Sequence, residues 1–508
     1  MPINRHQEPI EIKDFSAGLW EGSDWLMPPS AFQEMTNCYP ESGGGLRAFH
    51  KASSISTSGL VDPTNERVIG LFARGVQHRT AANLATDRYL LTYHVGGAGA
   101  YRPRLYRMDG SNSETTWTQI FKTSGTTLFN AAVSDGNSPT RASFVYFRSS
   151  AGVDYVMMST DYFGSQPGGS GLYSLNYADL SSAQKAIEVT SSASGLTYIA
   201  GPLAAHQARI VAGSGNDGAI VWSNPGTLTF TADNFLFVER SQLMPKVFSL
   251  VPQPPSALVV VKEGAPFVAI HGDIEAPTVY ELARGVTCSG TGYQIPGVTP
   301  DGMTVIAADG HVYLTGGETL VDISENISDF GGVGDAVSVG DTNYAGNFLF
   351  APRGYVRHWP TGAWFKQTQM AGYFHNVDRL NGNIWGPVGG GTSFTLSELN
   401  TDASASRTNT FSVKTAPLRT SDGRRLEIRE VEVVCKAYDT SATIAITVAG
   451  VTRTIVMAAA GIQKVSGQFT AASEALDVRV VSTAGNAANE APSIEVIRVW
   501  PRSGHLSY

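Results

Sequence analysis

Short apolar runs that end at turn residues dominate residues 206–273. Five runs, each four to six residues long, occupy 208–212, 219–222, 247–251, 257–262 and 266–270. Runs of this length, rich in β-branched and aromatic residues and ended by Gly, Pro, Asn or Asp, predict strands rather than helices. The connecting sequences GNDG and KEG supply residues that tolerate the positive φ of a tight hairpin. The stretch therefore predicts a meander of antiparallel strands, the unit from which a β-propeller is built.

The same pattern recurs between residues 66 and 402. Successive groups of short strands start about 40 to 75 residues apart, at or above the ~40–50-residue spacing of propeller repeats. Residues 354–367, GYVRHWPTGAWFKQ, show the unit as a strand, a Pro-Thr-Gly turn and a second strand, with aromatic residues on both. We therefore predict an all-β fold with a β-propeller over residues 66–402. About six blades fit best, and five to seven are compatible with the spacing.

The two ends of the chain differ from this middle part. After a small, polar linker (TDASASRTN), residues 426–434 and 443–448 alternate strictly between apolar and polar. Such alternation predicts strands with one buried face, and seven or eight of them in residues 403–508 fit a β-sandwich.

Residues 1–65 predict an extended N-terminal arm. One short helix is expected over residues 31–37, with Ser30 as its cap. An extended arm cannot bury itself, so it must lie on its own chain or on a neighbour. We expect that deleting residues 1–65 weakens assembly and leaves the propeller folded.

Composition limits the function classes. Charged residues make up 16% of the chain, glycines number 54, and the net charge is −8. Low charge with many turn formers fits an all-β protein and argues against disorder. A mildly acidic chain is a poor candidate for gripping nucleic acid, although it suits a wall that DNA passes without adhering.

Cysteines and apolar stretches indicate the compartment. Cys38, Cys288 and Cys435 are far apart in the sequence and form no CxxC motif, which predicts synthesis in a reducing cytoplasm. No secretion signal and no membrane segment are expected from the hydropathy of the sequence.

No catalytic, cofactor-binding or metal-binding residue is predicted. The histidines beside predicted strands lack HExxH or HxH spacing, so we interpret them as framework residues: His206, His271, His311 and His358. The glycine-rich sequences GGGTSF (389–394) and GGVGD (331–335) lack the Lys-Ser/Thr of a phosphate loop, and turns explain them.

Acidic residues give no enzymatic motif either. Glu263, Asp273 and Asp309 lie at predicted turns, where acids are common. The nearest match to a sialidase-type repeat, SNSETTW at residues 111–117, lacks its Asp and its Gly. Because the carboxylates of a glycoside hydrolase meet only in three dimensions, a glycan-cleaving propeller stays open as an alternative.

Three segments together carry a family resemblance. The opening IKDFSAGLW…MPPSAFQEMTNCYPESGGGLRAF resembles the N-terminal signature of structural proteins in tailed phages, with a Phe-x-x-Gly-Leu arm, an Asn and a closing Gly-Leu-Arg. The middle is similar to the β-propeller of head-to-tail nozzle (tail tube) proteins in short-tailed bacteriophages, on AAHQARIVAG, AIVWSNPG, ALVVVKEGAPFVAIHGD, the DG-x-VYL hairpin and Ile323-Ser324. The closing FSVKTAPL…REVEVV…SIEVIRVW resembles the β-sandwich often fused behind such propellers.

The resemblance implies a structural virion protein with no enzymatic activity and no cofactor. It implies a ring of six copies in the phage tail, below the portal and its adaptor ring, through which DNA leaves without sequence-specific contact. Tail fibres or tail-tip proteins are the further partners implied. The alternatives are a receptor-binding tail protein, whose sandwich would bind host glycan, and a glycan-cleaving propeller, whose central pit would gather carboxylates and arginines.

Overall fold

Strands form almost all the regular structure of this protein. The computed structural model describes residues 9–23, 26–28, 30–77, 84–94, 103–109, 115–120, 142–160, 172–176, 186–188, 201–213, 218–238, 247–253, 257–262, 264–282, 297–299, 302–306, 310–316, 318–327, 330, 348–370, 376–377, 383–388, 394–400, 406–419 and 425–501. Within these ranges the one helical element is a 3-10 turn at Pro352–Gly354. The expected all-β class is confirmed.

Six strands lie in the N-terminal segment. They are β1 (Ile10–Ile12), β2 (Gly18–Leu19), β3 (Ala31–Thr36), β4 (Cys38–Pro40), β5 (Leu46–Ala48) and β6 (Ala52–Ile55). All six pair with strands of their own chain. The segment is extended, as expected, and it lies on its own chain.

A β-propeller-like series of small antiparallel sheets follows in chain order. The first two sheets contain β7 (Glu66–Gln77), β8 (Leu84–His94), β9 (Pro103–Met108) and β10 (Thr118–Ile120), then β11 (Ala142–Arg148), β12 (Asp154–Thr160), β13 (Leu172–Asn176) and β14 (Ala186–Glu188). The third and fourth contain β15 (Leu203–His206), β16 (Arg209–Gly213), β17 (Ala219–Ser223) and β18 (Phe230–Phe237), then β19 (Val247–Gln253), β20 (Ala257–Lys262), β21 (Ala265–His271) and β22 (Thr278–Glu281). The fifth contains β23 (Gly297–Thr299), β24 (Gly302–Ile306), β25 (Val312–Thr315) and β26 (Leu320–Asp322). In each sheet every strand pairs with the next one along the chain.

The series continues with two units that the N-terminal segment completes. The sixth unit is a meander of β27 (Phe348–Phe350), β28 (Tyr355–His358) and β29 (Trp364–Lys366), and β3 runs parallel to β29 as its fourth strand. The seventh sheet contains β30 (Asn376–Val377), β31 (Ile384–Val388) and β32 (Thr395–Leu399), and β6 pairs antiparallel with β32.

Alternating side chains pack successive sheets face to face. Because neighbouring residues of a strand point to opposite faces, Val156 and Met158 on β12 pack on the first sheet, whereas Met157 packs on the third. The seventh sheet shares a core with the first, in which Trp385 and Leu396 are fully buried. The last unit of the series therefore packs against its beginning.

Two large sheets include the C-terminal strands. These strands are β33 (Thr410–Thr415), β34 (Leu426–Ala437), β35 (Thr443–Val448), β36 (Val451–Val456), β37 (Gly461–Ser473), β38 (Val478–Thr483) and β39 (Ser493–Pro501). One sheet runs β27-β28-β29-β3-β33-β38-β35-β36, with β2 beside β3, and the other runs β37-β34-β39-β5-β4, with β1 beside β39. Residues of both sheets, such as Val433 and Ile446, belong to one buried core.

The short helix expected over residues 31–37 is wrong, because Ala31–Thr36 is strand β3. Both edges of β3 have partners, β29 on one side and β33 on the other. Phe32 and Met35 are fully buried between them. Tertiary pairing outweighs a weak local helix preference, and Ser30 lies in the turn before the strand rather than at a helix cap.

The N-terminal segment is also an integral part of the fold. Phe15, Phe32 and Phe49 are buried in the large shared core, and β6 completes the seventh sheet. Removing residues 1–65 would take a strand from both the sixth unit and the seventh sheet. The structure therefore argues against the expectation that the propeller stays folded without them.

Candidate functional site

The first strand of each small sheet is here called its inner strand. In the described residues the first strands of neighbouring sheets contact one another: β7 with β11, β11 with β15, β15 with β19, and β7 also with β30. On the inner strands whose side chains are described, charged and histidine side chains are few: Glu66, Arg67, Arg74, Arg148 and His206. Glu66 is the one carboxylate among them, so these side chains do not form the acid-rich pit of a glycoside hydrolase.

Glu66 is fully buried and tied to its own sheet. Its carboxylate forms an ion pair with Arg104 and accepts hydrogen bonds from Thr92 Oγ1 at 2.6 Å and Tyr106 OH at 3.4 Å. Burial, and then the charge of Glu66, raise the pKa of Tyr106 to about 12. A carboxylate held by three partners in the protein interior serves the framework of the sheet.

Arg74 connects the first sheet to the second. Its Nη2 lies 3.2 Å from Asp154 Oδ2, and its guanidinium lies 4.3 Å from the ring centroid of Tyr146. Tyr146 OH donates to the other oxygen of Asp154 at 2.5 Å. Burial and this hydrogen bond raise the pKa of Tyr146. The charge of Arg74 thus contributes to the junction between two sheets.

Arg88 makes the corresponding connection between the first and seventh sheets. It forms an ion pair with Glu398, 310 residues away in the sequence, and Asn383 Nδ2 donates to the same carboxylate at 3.1 Å. The Arg88 guanidinium lies 5.5 Å from the ring of Trp385, and Trp385 stacks on Trp117 with a centroid distance of 6.1 Å. An ion pair and an aromatic core therefore both stabilise the contact between the seventh sheet and the first.

The four predicted framework histidines lie in four different units. His206 ends β15, His271 ends β21, His311 precedes β25, and His358 ends β28. His311 Nδ1 lies 2.7 Å from Asp322 Oδ2, His358 Nδ1 lies 2.9 Å from Thr361 Oγ1, and His271 contacts the Tyr280 ring edge-on. Burial lowers the pKa of His206, and lowers that of His358 to about 4. The structure does not bring these histidines together.

A further buried cluster was not foreseen from the sequence. It joins the N-terminal segment, the sixth unit and the C-terminal sheets around Tyr39. The Tyr39 ring stacks on the His50 ring with a centroid distance of 6.4 Å and meets the Phe348 ring edge-on at 5.1 Å. Arg407 Nη1 donates to Tyr39 OH at 3.1 Å, and Arg407 Nε lies 3.5 Å from Glu490. Burial, and then the charges of Arg407 and Arg47, lower the pKa of His50 to about 3. We call Tyr39, His50, Phe348, His358 and Arg407 the junction cluster.

Metal-ligand groups, long apolar helices and thiols add no further candidate site in the described part of the chain. There, no group of three His, Cys, Asp or Glu side chains is placed to hold a metal ion. No helix in the described ranges has the length and hydropathy needed to cross a bilayer. Cys38 and Cys435 are buried and form no disulfide, and burial raises both thiol pKa values, that of Cys435 to about 11.

Several residues singled out in the sequence lie outside the described residues. They are 215–217 of the GNDG turn, Glu263, Cys288, Asp309, residues 331–335, 111–114 of SNSETTW and 389–393 of GGGTSF. The described members of these sets are structural. Trp117 is buried and donates from Nε1 to Ser56 O at 2.9 Å, and Asp273 Oδ1 accepts from the Glu275 amide at 3.0 Å.

Comparisons with known proteins give distant structural similarity alone. No protein-family model matches the chain, and no curated protein sequence matches it. An exo-β-1,3-galactanase from Phanerochaete chrysosporium aligns over 89% of this chain and 100% of its own, with 10% identity and a TM-score of 0.29. YCF48 bound to D1 peptide aligns over 70% of this chain and 96% of its own, with 11% identity and a TM-score of 0.32. A putative 6-phosphogluconolactonase from Bacteroides uniformis aligns over 74% and 98%, with 12% identity and a TM-score of 0.36. At these levels the similarity carries no argument about activity.

Proposed function

We propose that this chain is a structural, non-enzymatic component of a short phage tail, the head-to-tail nozzle, which assembles as a ring of six copies. In the virion this ring would form the lower channel through which DNA is ejected. The observation that carries the proposal is that ionised side chains of the first sheet are used for contacts within and between sheets. Glu66, Arg74 and Arg88 each make contacts within a sheet or between sheets, as a rigid wall requires.

We further propose that the small sheets are the blades of one closed propeller. Contacts between successive inner strands, and the core shared by the seventh sheet and the first, support closure. Counting the sixth unit with β3, the propeller would have seven blades, one more than the number that fits the sequence best. The two large sheets, with their shared core, would form the expected C-terminal β-sandwich.

The proposed role follows from rigidity and charge. Face-to-face sheets held by buried apolar layers and inter-sheet ion pairs resist deformation, because close-packed interiors have low compressibility. The net charge of −8 opposes adhesion of DNA during passage. The adaptor ring above and tail-fibre or tail-tip proteins below are the proposed partners.

Electron cryomicroscopy of the purified chain, mixed with the portal and adaptor proteins of the virus that encodes it, tests this proposal. We expect a six-fold ring attached to the adaptor. A chain that stays separate from the adaptor ring, and is missing from the tails of purified virions, would contradict the proposal.

A second candidate is a receptor-binding or glycan-cleaving tail protein, and one observation favours it. Phe235 and Phe237 on β18 are 38% and 43% exposed and form a T-shaped pair at 5.3 Å, and Tyr280 on β22 is 54% exposed. Contiguous exposed apolar patches mark binding surfaces for partners, and Phe235 and Phe237 are in contact. Glycan-array binding that Phe235→Ala and Phe237→Ala abolish, or release of reducing sugar from host polysaccharide, would favour this candidate over the nozzle.

A further inference from the structure

One end of the larger C-terminal sheet is a strand with exposed apolar and cationic side chains. β36 is the last strand of that sheet, and within the described residues it pairs with β35 alone. All its side chains except the half-buried Ile455 are exposed, including Val451 at 48% and Val456 at 63%. Nearby β37 adds Ile462, which is 75% exposed. Unpaired edges of this kind invite pairing with another chain.

The charged residues that β36 and β37 contribute to this edge are all cations. Residues 440–473 contain Arg453 and Lys464 and neither Asp nor Glu. Both side chains are exposed, and Arg453 Nε donates to Gln468 O on β37 at 3.4 Å, which holds the guanidinium beside both strands. We call β36, with Ile462 and Lys464 of β37, the cationic edge.

The cationic edge is five strands from β29 of the sixth unit along the sheet that they share. Five strand spacings separate β36 from β29 along the sheet, which corresponds to roughly 24 Å at ~4.8 Å per spacing. The edge is therefore positioned to contact something other than the sixth unit to which its sheet is joined.

A surface of complementary chemistry lies on the outer strands of the fourth and fifth sheets. All four residues of β22 are exposed, Val279 at 41% and Tyr280 at 54%, and Val321 on β26 is 52% exposed. Residues 264–282 and 310–327 contain no Lys or Arg and six carboxylates: Asp273, Glu275, Glu281, Glu318, Asp322 and Glu325. Arg209 forms an ion pair with Glu275, and His311 contacts Asp322. We call β22, β26 and these carboxylates the acidic rim.

We infer that the cationic edge of one copy docks on the acidic rim of the next copy in a ring. Both surfaces combine an edge strand, exposed β-branched residues and charge of one sign, and the signs are opposite. Because both lie on one chain at different places, the contact is heterologous, and such contacts close into rings when the rotation permits. Complementary charge would set the orientation, and the apolar side chains would supply buried area. The inference rests on the proposed ring.

Charge reversal tests the inference. Arg453→Glu with Lys464→Glu reverses the edge, and Glu318→Lys with Glu325→Lys reverses the rim at exposed positions. Each pair is expected to raise the concentration for half-assembly at least tenfold, since like charges across an interface cost several kcal/mol. The four changes together should restore assembly to within about threefold of the unchanged chain, because the charges are again opposite. Reversal of Lys13 and Lys51, exposed cations elsewhere, is the matched control.

Cross-linking gives a second readout. Val456→Cys combined with Val279→Cys should yield disulfide-linked copies under mild oxidation, since a disulfide needs Cα atoms within about 7 Å. Val456→Cys combined with Val61→Cys, which is 59% exposed, is the control.

The outcomes separate this inference from the proposed function. The inference is overturned if both charge-reversed chains form a normal ring, or if the variant with all four changes does not recover assembly. Either result leaves the proposed nozzle function unaffected. An unchanged chain that is monomeric at every concentration overturns both.

Discussion

Acidification should destabilise this protein through His50 in the junction cluster. His50 is 1% exposed, its Nδ1 has no hydrogen-bond partner, and the neighbouring cations Arg407 and Arg47 oppose protonation. Its folded pKa is about 3, against a reference of 6.5. Above pH 6.5 both folded and unfolded states are neutral at this site. Below it the unfolded chain binds a proton that the folded chain refuses, so stability falls with pH until about pH 3.

The size of the effect follows from the pKa difference. pH 5 lies 1.5 units below the reference pKa of histidine. Protonation of His50 in the unfolded chain therefore lowers the free energy of unfolding by about 2 kcal/mol, at 1.36 kcal/mol per unit. His358, with a folded pKa of about 4, contributes a similar cost of about 2 kcal/mol. Carboxylates remain largely ionised at pH 5, so the change from pH 7 to pH 5 mainly reports histidines.

Guanidinium unfolding at pH 7 and pH 5 is the assay, with His50→Gln as the perturbation. The variant will be less stable at pH 7 because it loses ring packing, so the informative quantity is the change between the two pH values. We expect that change to shrink by about 2 kcal/mol in His50→Gln. Val433→Ala, a buried change without an ionisable group, is the control and should keep the change seen in the unaltered chain. An identical pH dependence in His50→Gln and the unaltered chain would refute a buried, neutral His50.

Two further predictions concern the contact between the first and seventh sheets and a tight turn. In a double-mutant cycle of Arg88→Met and Glu398→Gln, measured by denaturant unfolding, we expect a coupling energy of about 2 kcal/mol, typical of interacting partly buried groups; strictly additive effects would show that the ion pair does not join these sheets. Gly59 has φ +89° and an added Cβ would lie 2.0 Å from Trp117 O, whereas Gly152 has φ +75° with nothing within 4 Å. Gly59→Ala should therefore cost more than about 3 kcal/mol and Gly152→Ala about 1 kcal/mol, and equal costs would contradict the close approach.

Strands with local signals could be predicted from the sequence. The run expected at 208–212 is β16 at Arg209–Gly213, and the run at 257–262 is β20 at Ala257–Lys262. Both strands are fully buried. Each is a short apolar run that ends near turn residues, so its length and composition identify it in the sequence. The pattern cannot show how many units there are, because the N-terminal segment supplies the last strand of two units.

Features that depend on distant partners left no local signal. The turn between β15 and β16 has positive φ at Gln207 and Ala208, 50° and 56°, where turn chemistry favours Gly or Asn. The Gln207 side chain compensates by bonding Gly272 O at 2.6 Å and the Ile274 amide at 3.0 Å, in the fourth sheet. The ion pair of Arg88 with Glu398 and the pairing of β3 likewise join residues hundreds of positions apart. Sequence spacing therefore predicted the strands better than their contacts.

Native mass spectrometry of the purified chain over a range of concentrations tests the central claim most directly. The account predicts a closed species of six copies that grows at the expense of the monomer as concentration rises and that then binds the adaptor ring. A monomer at all concentrations, without affinity for the adaptor, would contradict it.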